Sequence, residues 1–212
     1  MEENLNLLNQ YQDKKLIAFD LFWTCISHCP SDFRLSWEIR NVLKCNPISI
    51  LDLQEWLIEK NWIKINITSN LKDKVKHDIE NTFLFPETLE VLNYIKSKWY
   101  KTAVVSNLWK DYAEPLHRLI SEWIFDYEIL SFNVWAAKPD PKIYEYLKLI
   151  SWIDYKDIIM IWDSLKADVI GSNNVWITPI HLNRTDEWIK EVHKKWIDFI
   201  QISTLNNLKE IF

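Results

Sequence analysis

Four stretches hold side chains that could do chemistry together: Asp20 and Thr24 in LIAFDLFWT, Ser106 and Asn107 in TAVVSN, Lys138 in AAKPDP, and Asp163 and Asp168 in IMIWDSLKAD. Three carboxylates supply hard oxygen ligands, which suit magnesium more naturally than calcium for phosphoryl chemistry. A lysine meets a phosphate as a point charge. The set is coherent only if the fold gathers it in one place.

The elements needed to gather it are legible. Asp20 ends a run of apolar residues, and Lys15–Phe22 reads as the first strand of a buried parallel sheet. Thr102–Ser106 and Ile158–Ile161 read as two more strands, each followed at once by a polar candidate. Strands are also expected at Tyr127–Phe132, Ile177–Leu182 and Phe199–Ile202. Helices are expected between them at Thr88–Ser97, Asp111–Ser121, Pro141–Ile150, Ala167–Asn173 and Glu187–Lys195, with Leu205–Ile211 closing the chain. This alternation predicts an α/β fold, a three-layer doubly wound parallel sheet. In such a sheet the strand C-termini share one edge, where ligands bind.

Residues 25 to about 82 break the rhythm. They read as helices alone, Phe33–Lys44, Ile50–Lys60 and Leu71–Phe83, inserted after the first strand. The expected division is a core of residues 1–24 and 84–212 and a helical cap of residues 25–83. From the cap, Arg34 and Arg40 are candidates to face a substrate anion.

Composition bounds the rest. The chain has 212 residues, 48% of them hydrophobic, and a net charge of −5. No cluster of lysine and arginine suits nucleic acid. The N-terminus lacks a signal layout, and no apolar run approaches a membrane span. The expectation is a soluble cytoplasmic protein with no nucleic-acid or membrane partner. Three cysteines, an odd number, argue against a disulfide framework. Cys25, His28 and Cys29 lie close together, but no second ligand pair follows at zinc spacing, so cap entrance or packing is the better account.

One glycine and thirteen tryptophans make the composition abnormal. Ordinary usage, about 7%, would give roughly fifteen glycines. Ten tryptophans stand in turns, loops or just past helix ends, where glycine is expected: Trp23, Trp62, Trp99, Trp109, Trp123, Trp135, Trp152, Trp162, Trp176 and Trp196. Trp37, Trp56 and Trp188 fall in helical segments. This pattern is expected if UGA codons meaning glycine were read as tryptophan. The competing account is a genuinely tryptophan-rich protein.

With these residues in view, the chain resembles the haloacid dehalogenase superfamily, in the subgroup with a helical cap after the first strand. DLFWT matches the family's DxxGT motif if Trp23 is read as glycine. VVSN matches the second motif, the lysine of AAKPDPKIYEYL the third, and MIWDSLKADVIGSNNVWI the fourth, with one extra residue between its carboxylates. The resemblance implies that Asp20 is a nucleophile forming an aspartyl-phosphate. It implies that Asp20, Asp163 and the main-chain carbonyl of Phe22 bind Mg2+, with Asp168 supporting it directly or through water. Ser106, or Thr24, would hold the phosphoryl oxygens, with Asn107 beside them, and Lys138 would neutralise charge.

Phe22 departs from the pattern. Phosphatases of the family carry a second Asp there, which protonates the leaving group. An aromatic residue resembles the 2-haloacid dehalogenases, where the same Asp attacks carbon. Those enzymes usually lack the carboxylate found here at Asp163. The favoured reading is a magnesium-dependent phosphatase acting on a small phosphorylated metabolite. The alternatives are a dehalogenase-type hydrolase and a non-catalytic scaffold.

Overall fold

The protein is described by a computed structural model, which covers residues 11, 13–27, 35–50, 52–59, 69–163, 175–184 and 200–212. Six strands form one sheet: β1 (Leu16–Phe19), β4 (Lys101–Ser106), β5 (Tyr127–Leu130), β6 (Ile158–Trp162), β7 (Thr178–Leu182) and β8 (Ile200–Ile202). Their order is β5-β4-β1-β6-β7-β8, and every pairing is parallel. The order reverses direction at β1, which makes its C-terminal end the topological switch point.

β1 is buried on both faces, so it can be apolar without alternation. Its side chains still divide by the two-residue period. Ile17 and Phe19 join a core with Val91, Leu92 and Ile95 of the helix α4 (Thr88–Ser97). Leu16 and Ala18 join the opposite core with Ile143, Tyr144 and Leu147 of α7 (Pro141–Ser151). The sheet is therefore covered by helices on both faces, the three-layer arrangement expected.

Several boundaries differ from the expectation. β1 ends at Phe19 rather than Phe22, because the chain bends at Leu21 and turns at residues 23–25. β5 ends at Leu130, and the expected strand residues Ser131 and Phe132 begin the short helix α6 (Ser131–Val134). The stretch expected as one helix from Asp111 is a 3-10 turn, Lys110–Ala113, followed by α5 (Glu114–Leu119) with Pro115 in its first turn. The inserted segment is not wholly helical. β2 (Ile26–Ser27) and β3 (Phe83–Leu84) pair antiparallel at its two ends. The expected helices Ala167–Asn173 and Glu187–Lys195 lie outside the described residues.

Between β2 and β3 lie α1 (Trp37–Lys44), α2 (Leu53–Glu59) and α3 (Ser69–Glu80). Ile39, Val42, Leu43, Leu53, Leu71 and Val75 bring them into a small core of their own. Three polar contacts tie this segment to the 3-10 turn and α5. The Ile50 amide donates to Asp111 (2.9 Å), the Tyr112 hydroxyl to buried Asp78 (3.0 Å), and Arg118 to the Ile79 carbonyl (2.9 Å). Burial pushes the Tyr112 hydroxyl far up, with Asp78 adding to it, so the phenol stays protonated. No helix among the described residues is long and apolar enough to cross a membrane.

Candidate active site

Parallel pairing sets the geometry. Phe19 is in register with Val104 of β4 and Ile161 of β6, and the Asp20 amide donates to the Ile161 carbonyl at 2.8 Å. Asp20, Ser106 and Asp163 thus emerge from three adjacent strands at one edge. The Asp20 carboxylate is nearly enclosed and held from three sides. Its Oδ1 accepts from the Leu21 amide (2.7 Å) and the Ser106 hydroxyl (2.7 Å). Its Oδ2 faces Lys138 Nζ at 3.0 Å, and the Lys138 side chain is 1% exposed. A carboxylate has about four lone-pair sites. Among the described residues, those three contacts leave one, on Oδ2, for an electrophile or a cation.

Lys138 is set by a device the sequence does not advertise. Asn107 Oδ1 accepts from the Lys138 amide (2.7 Å), and Asn107 Nδ2 donates to the Lys138 carbonyl (2.9 Å). The expected phosphate-binding role of Asn107 thus meets an amide whose two ends both engage Lys138. Asp140, two residues on, caps α7 through the Lys142 amide at 3.0 Å. The lysine is fixed by both a strand end and a helix start.

Thr24 is fully buried, and its hydroxyl makes no hydrogen bond among the described residues. Buried hydroxyls are normally paired, so this one is an exception. Phe22 lies edge-on to Tyr112, with ring centroids 5.9 Å apart, and offers no titratable group. Asp163 is half-buried just beyond β6. His181 Nε2 lies 3.1 Å from the Asp163 carbonyl, and burial pushes the imidazole down, against that contact and one to Gln201.

Asp168, Arg34, His28 and Cys29 lie outside the described residues. Arg40 is exposed on α1. Cys25 is a buried free thiol that burial pushes well up, so it stays protonated. Among the described residues, no group of three His, Cys, Asp or Glu side chains converges as a metal site. The two described carboxylates, the open lone pair on Asp20 and the chemistry of oxygen donors are compatible with a hard cation.

Arg184 escaped the sequence reading. It donates to the carbonyls of Trp23 (3.2 Å) and Thr24 (2.9 Å), and to Glu87 at 2.7 Å, with its guanidinium 3.7 Å from the centre of the Phe85 ring. Burial pushes the Glu87 carboxyl up, but hydrogen bonds from Arg184, Thr204 and the backbone outweigh it and hold it low. The available signal was an arginine two residues past the β7 strand, in HLNR.

A relative from Methanothermobacter thermautotrophicus, a glyceraldehyde 3-phosphate phosphatase, is 29% identical over 140 residues. The match takes in 64% of this chain and 62% of that protein's length, so the chain spans less than two thirds of it. Among solved structures, a HAD phosphatase from Thermococcus onnurineus superposes with a TM-score of 0.62 at 20% identity, over 93% of this chain and 97% of that one. A 2-haloacid dehalogenase from Pseudomonas syringae gives 0.67 at 16% identity, again over 93% and 97%. Both likenesses concern the fold and do not separate the two chemistries. The haloacid dehalogenase-like hydrolase pattern matches residues 20–181, from the carboxylate of Asp20 to the histidine beneath Asp163, and the chain belongs to that family of hydrolases.

Proposed function

We propose that the protein is a magnesium-dependent phosphatase of small phosphorylated metabolites, with Asp20 as nucleophile. The observation that carries this reading is the Asp20 carboxylate itself, held by Ser106, the Leu21 amide and Lys138 with one lone pair left open. The likeness to a phosphatase of a triose phosphate supports a small sugar-phosphate substrate.

In this reading Asp20 Oδ2 forms a bond to phosphorus as the bond to the substrate's alcohol oxygen breaks. Water then cleaves the acyl phosphate, releasing inorganic phosphate and restoring the carboxylate. Lys138 offsets negative charge on the phosphoryl group, and Ser106 holds the nucleophile in line. Asp20, Asp163 and the Phe22 carbonyl, with Asp168, would hold Mg2+, which supplies further charge neutralisation at the phosphoryl oxygens. Residues 25–83 act as a cap that closes over the substrate and excludes water.

Phe22 cannot protonate the departing alcohol, so that proton comes from another group or the substrate needs little help. General acids contribute roughly 10²–10⁴-fold, and turnover should be correspondingly modest on poor leaving groups. The same residue favours a second reading, in which Asp20 displaces halide from carbon.

Phosphate release from a panel of esters, with magnesium and with chelator, separates the readings. The phosphatase requires the cation and is lost in Asp20→Asn. Halide release from 2-haloacids in the presence of chelator overturns it in favour of the dehalogenase. Neither activity, with the loop tryptophans replaced by glycine, indicates a non-catalytic scaffold.

A further inference from the structure

Every described residue with a left-handed backbone is a tryptophan: Trp23 (φ 63°), Trp99 (67°), Trp135 (58°), Trp152 (59°) and Trp176 (65°). With Trp62, Trp188 and Trp196 outside the described residues, ten of the thirteen tryptophans are visible, and half of them adopt this conformation. Asparagine, aspartate and histidine are the residues that tolerate it best after glycine, and among the described residues none of them is found in it. A bulky aromatic side chain is among the worst choices.

The surroundings are those of glycine. Trp152 caps the C-terminus of α7 and donates its amide to the Lys148 carbonyl. Trp135 is the left-handed C-cap of α6, and Trp99 follows α4 and donates to Lys96. These are helix ends of the kind where glycine supplies the left-handed residue. Trp176 turns the chain toward β7, and Trp23 turns it in the loop after Asp20, donating to Ile26. At four of the five sites packing does not call for an indole either. Trp99 and Trp152 are more than nine-tenths exposed, Trp176 more than four-fifths, and Trp135 about two-thirds. Trp37 and Trp56 stand in helices with ordinary dihedrals.

Trp162 differs from the expectation formed from sequence. It ends β6, fully buried, without a positive φ. It carries a separate mark of misfit, since its indole nitrogen finds no hydrogen-bond partner among the described residues, whereas buried tryptophans usually satisfy theirs. Trp109 and Trp123 have no positive φ either, and the conformational argument does not extend to them.

We infer that positions 23, 99, 135, 152 and 176 are glycine in the native polypeptide, because the organism that makes it reads UGA as glycine. Chance substitution would not choose glycine-demanding backbone sites five times over and insert the same residue each time. A codon read in two ways does so automatically. The consequence reaches the active site, because position 23 lies in the loop whose carbonyls Arg184 holds. As glycine it takes an indole off that loop.

Two measurements test this without reference to activity. In the gene, the five positions should carry UGA, while Trp37 and Trp56 carry UGG. In peptides from the protein isolated from its own cells, mass spectrometry should find glycine at 99, 135 and 152 and tryptophan at 37 and 56. UGG codons at the five positions, or tryptophan recovered there from the native protein, overturns the inference.

Discussion

Replacing Trp99 and Trp152 by glycine should stabilise the chain as written. A non-glycine residue in the left-handed region costs about 1–2 kcal/mol. Glycine brings an offsetting penalty, because its unfolded chain is freer, of roughly 0.5–1 kcal/mol. The usual third term, lost burial, is nearly absent, since Trp99 is 93% and Trp152 92% exposed. Each change should therefore gain about 0.5–1 kcal/mol. The two sites follow helices on opposite faces of the sheet, so their effects should add. For a chain of this length the double variant should melt roughly 2–8 °C higher. Urea unfolding followed by far-ultraviolet circular dichroism reads this without relying on indole fluorescence. Trp56→Gly is the contrasting control, because it puts glycine inside α2 and strips a half-buried ring from the inserted helices. It should cost at least about 1 kcal/mol from helix propensity alone. A double variant less stable than the starting chain would refute the reasoning. It would mean that the exposed indoles contribute more than the backbone strain they impose.

Other perturbations test the site and its frame. Asp20→Asn should abolish phosphate release, and Ser106→Ala should lower kcat by roughly tenfold or more, since the carboxylate then loses a hydrogen bond that aims it. Arg184→Met should lower kcat more than it raises KM, because the fork on the carbonyls of residues 23 and 24 is lost. Arg184→Lys keeps the charge facing Glu87 but not the fork, so full recovery of kcat by lysine would refute a positioning role. Tyr112→Phe removes a bond to buried Asp78 and should cost about 1–3 kcal/mol in urea unfolding. Burial pushes the Asp126 carboxyl up, but the Thr102 amide, Lys96 and Lys101 outweigh it and hold it at about 2. Its contribution to stability is then present above its ordinary range and lost as pH falls from about 4 toward 2, a loss that Asp126→Asn should blunt.

The sheet was legible because its signal is local. Four consecutive apolar residues before Asp20, and similar runs before Ser106 and Asp163, mark buried parallel strands. Parallel pairing then puts their ends together with no further information. The residues that refine the site were not legible, because their meaning depends on partners far away in sequence. Asn107 looks like a strand-end turn until Lys138 is seen 31 residues on. Arg184 looks like a surface charge until the loop 160 residues earlier is placed under it. Boundaries failed for a related reason. Ile26 pairs with Leu84 and Ser27 with Phe83 across the whole insertion, and no short window shows that.

Position 22 carries the remaining chemical argument. A family phosphatase would place an acid there, near the leaving group. Here Phe22 packs edge-on against Tyr112, whose hydroxyl donates to Asp78 on α3. The loop that bears Asp20 is thereby joined through one aromatic pair and one hydrogen bond to the inserted helices. An aspartate at 22 would exchange that packing for a titratable group beside Asp20, Tyr112 and buried Asp78. Phe22→Asp should therefore do two opposing things. It should weaken the hold between the loop and the inserted helices, seen as a lower urea midpoint. It should also raise phosphate release from esters with poor leaving groups, which need a proton most, while leaving aryl esters little changed. A rise equal for both classes would show that the new carboxylate acts by loosening the inserted helices. No rise for either would show that the missing acid is not what limits turnover.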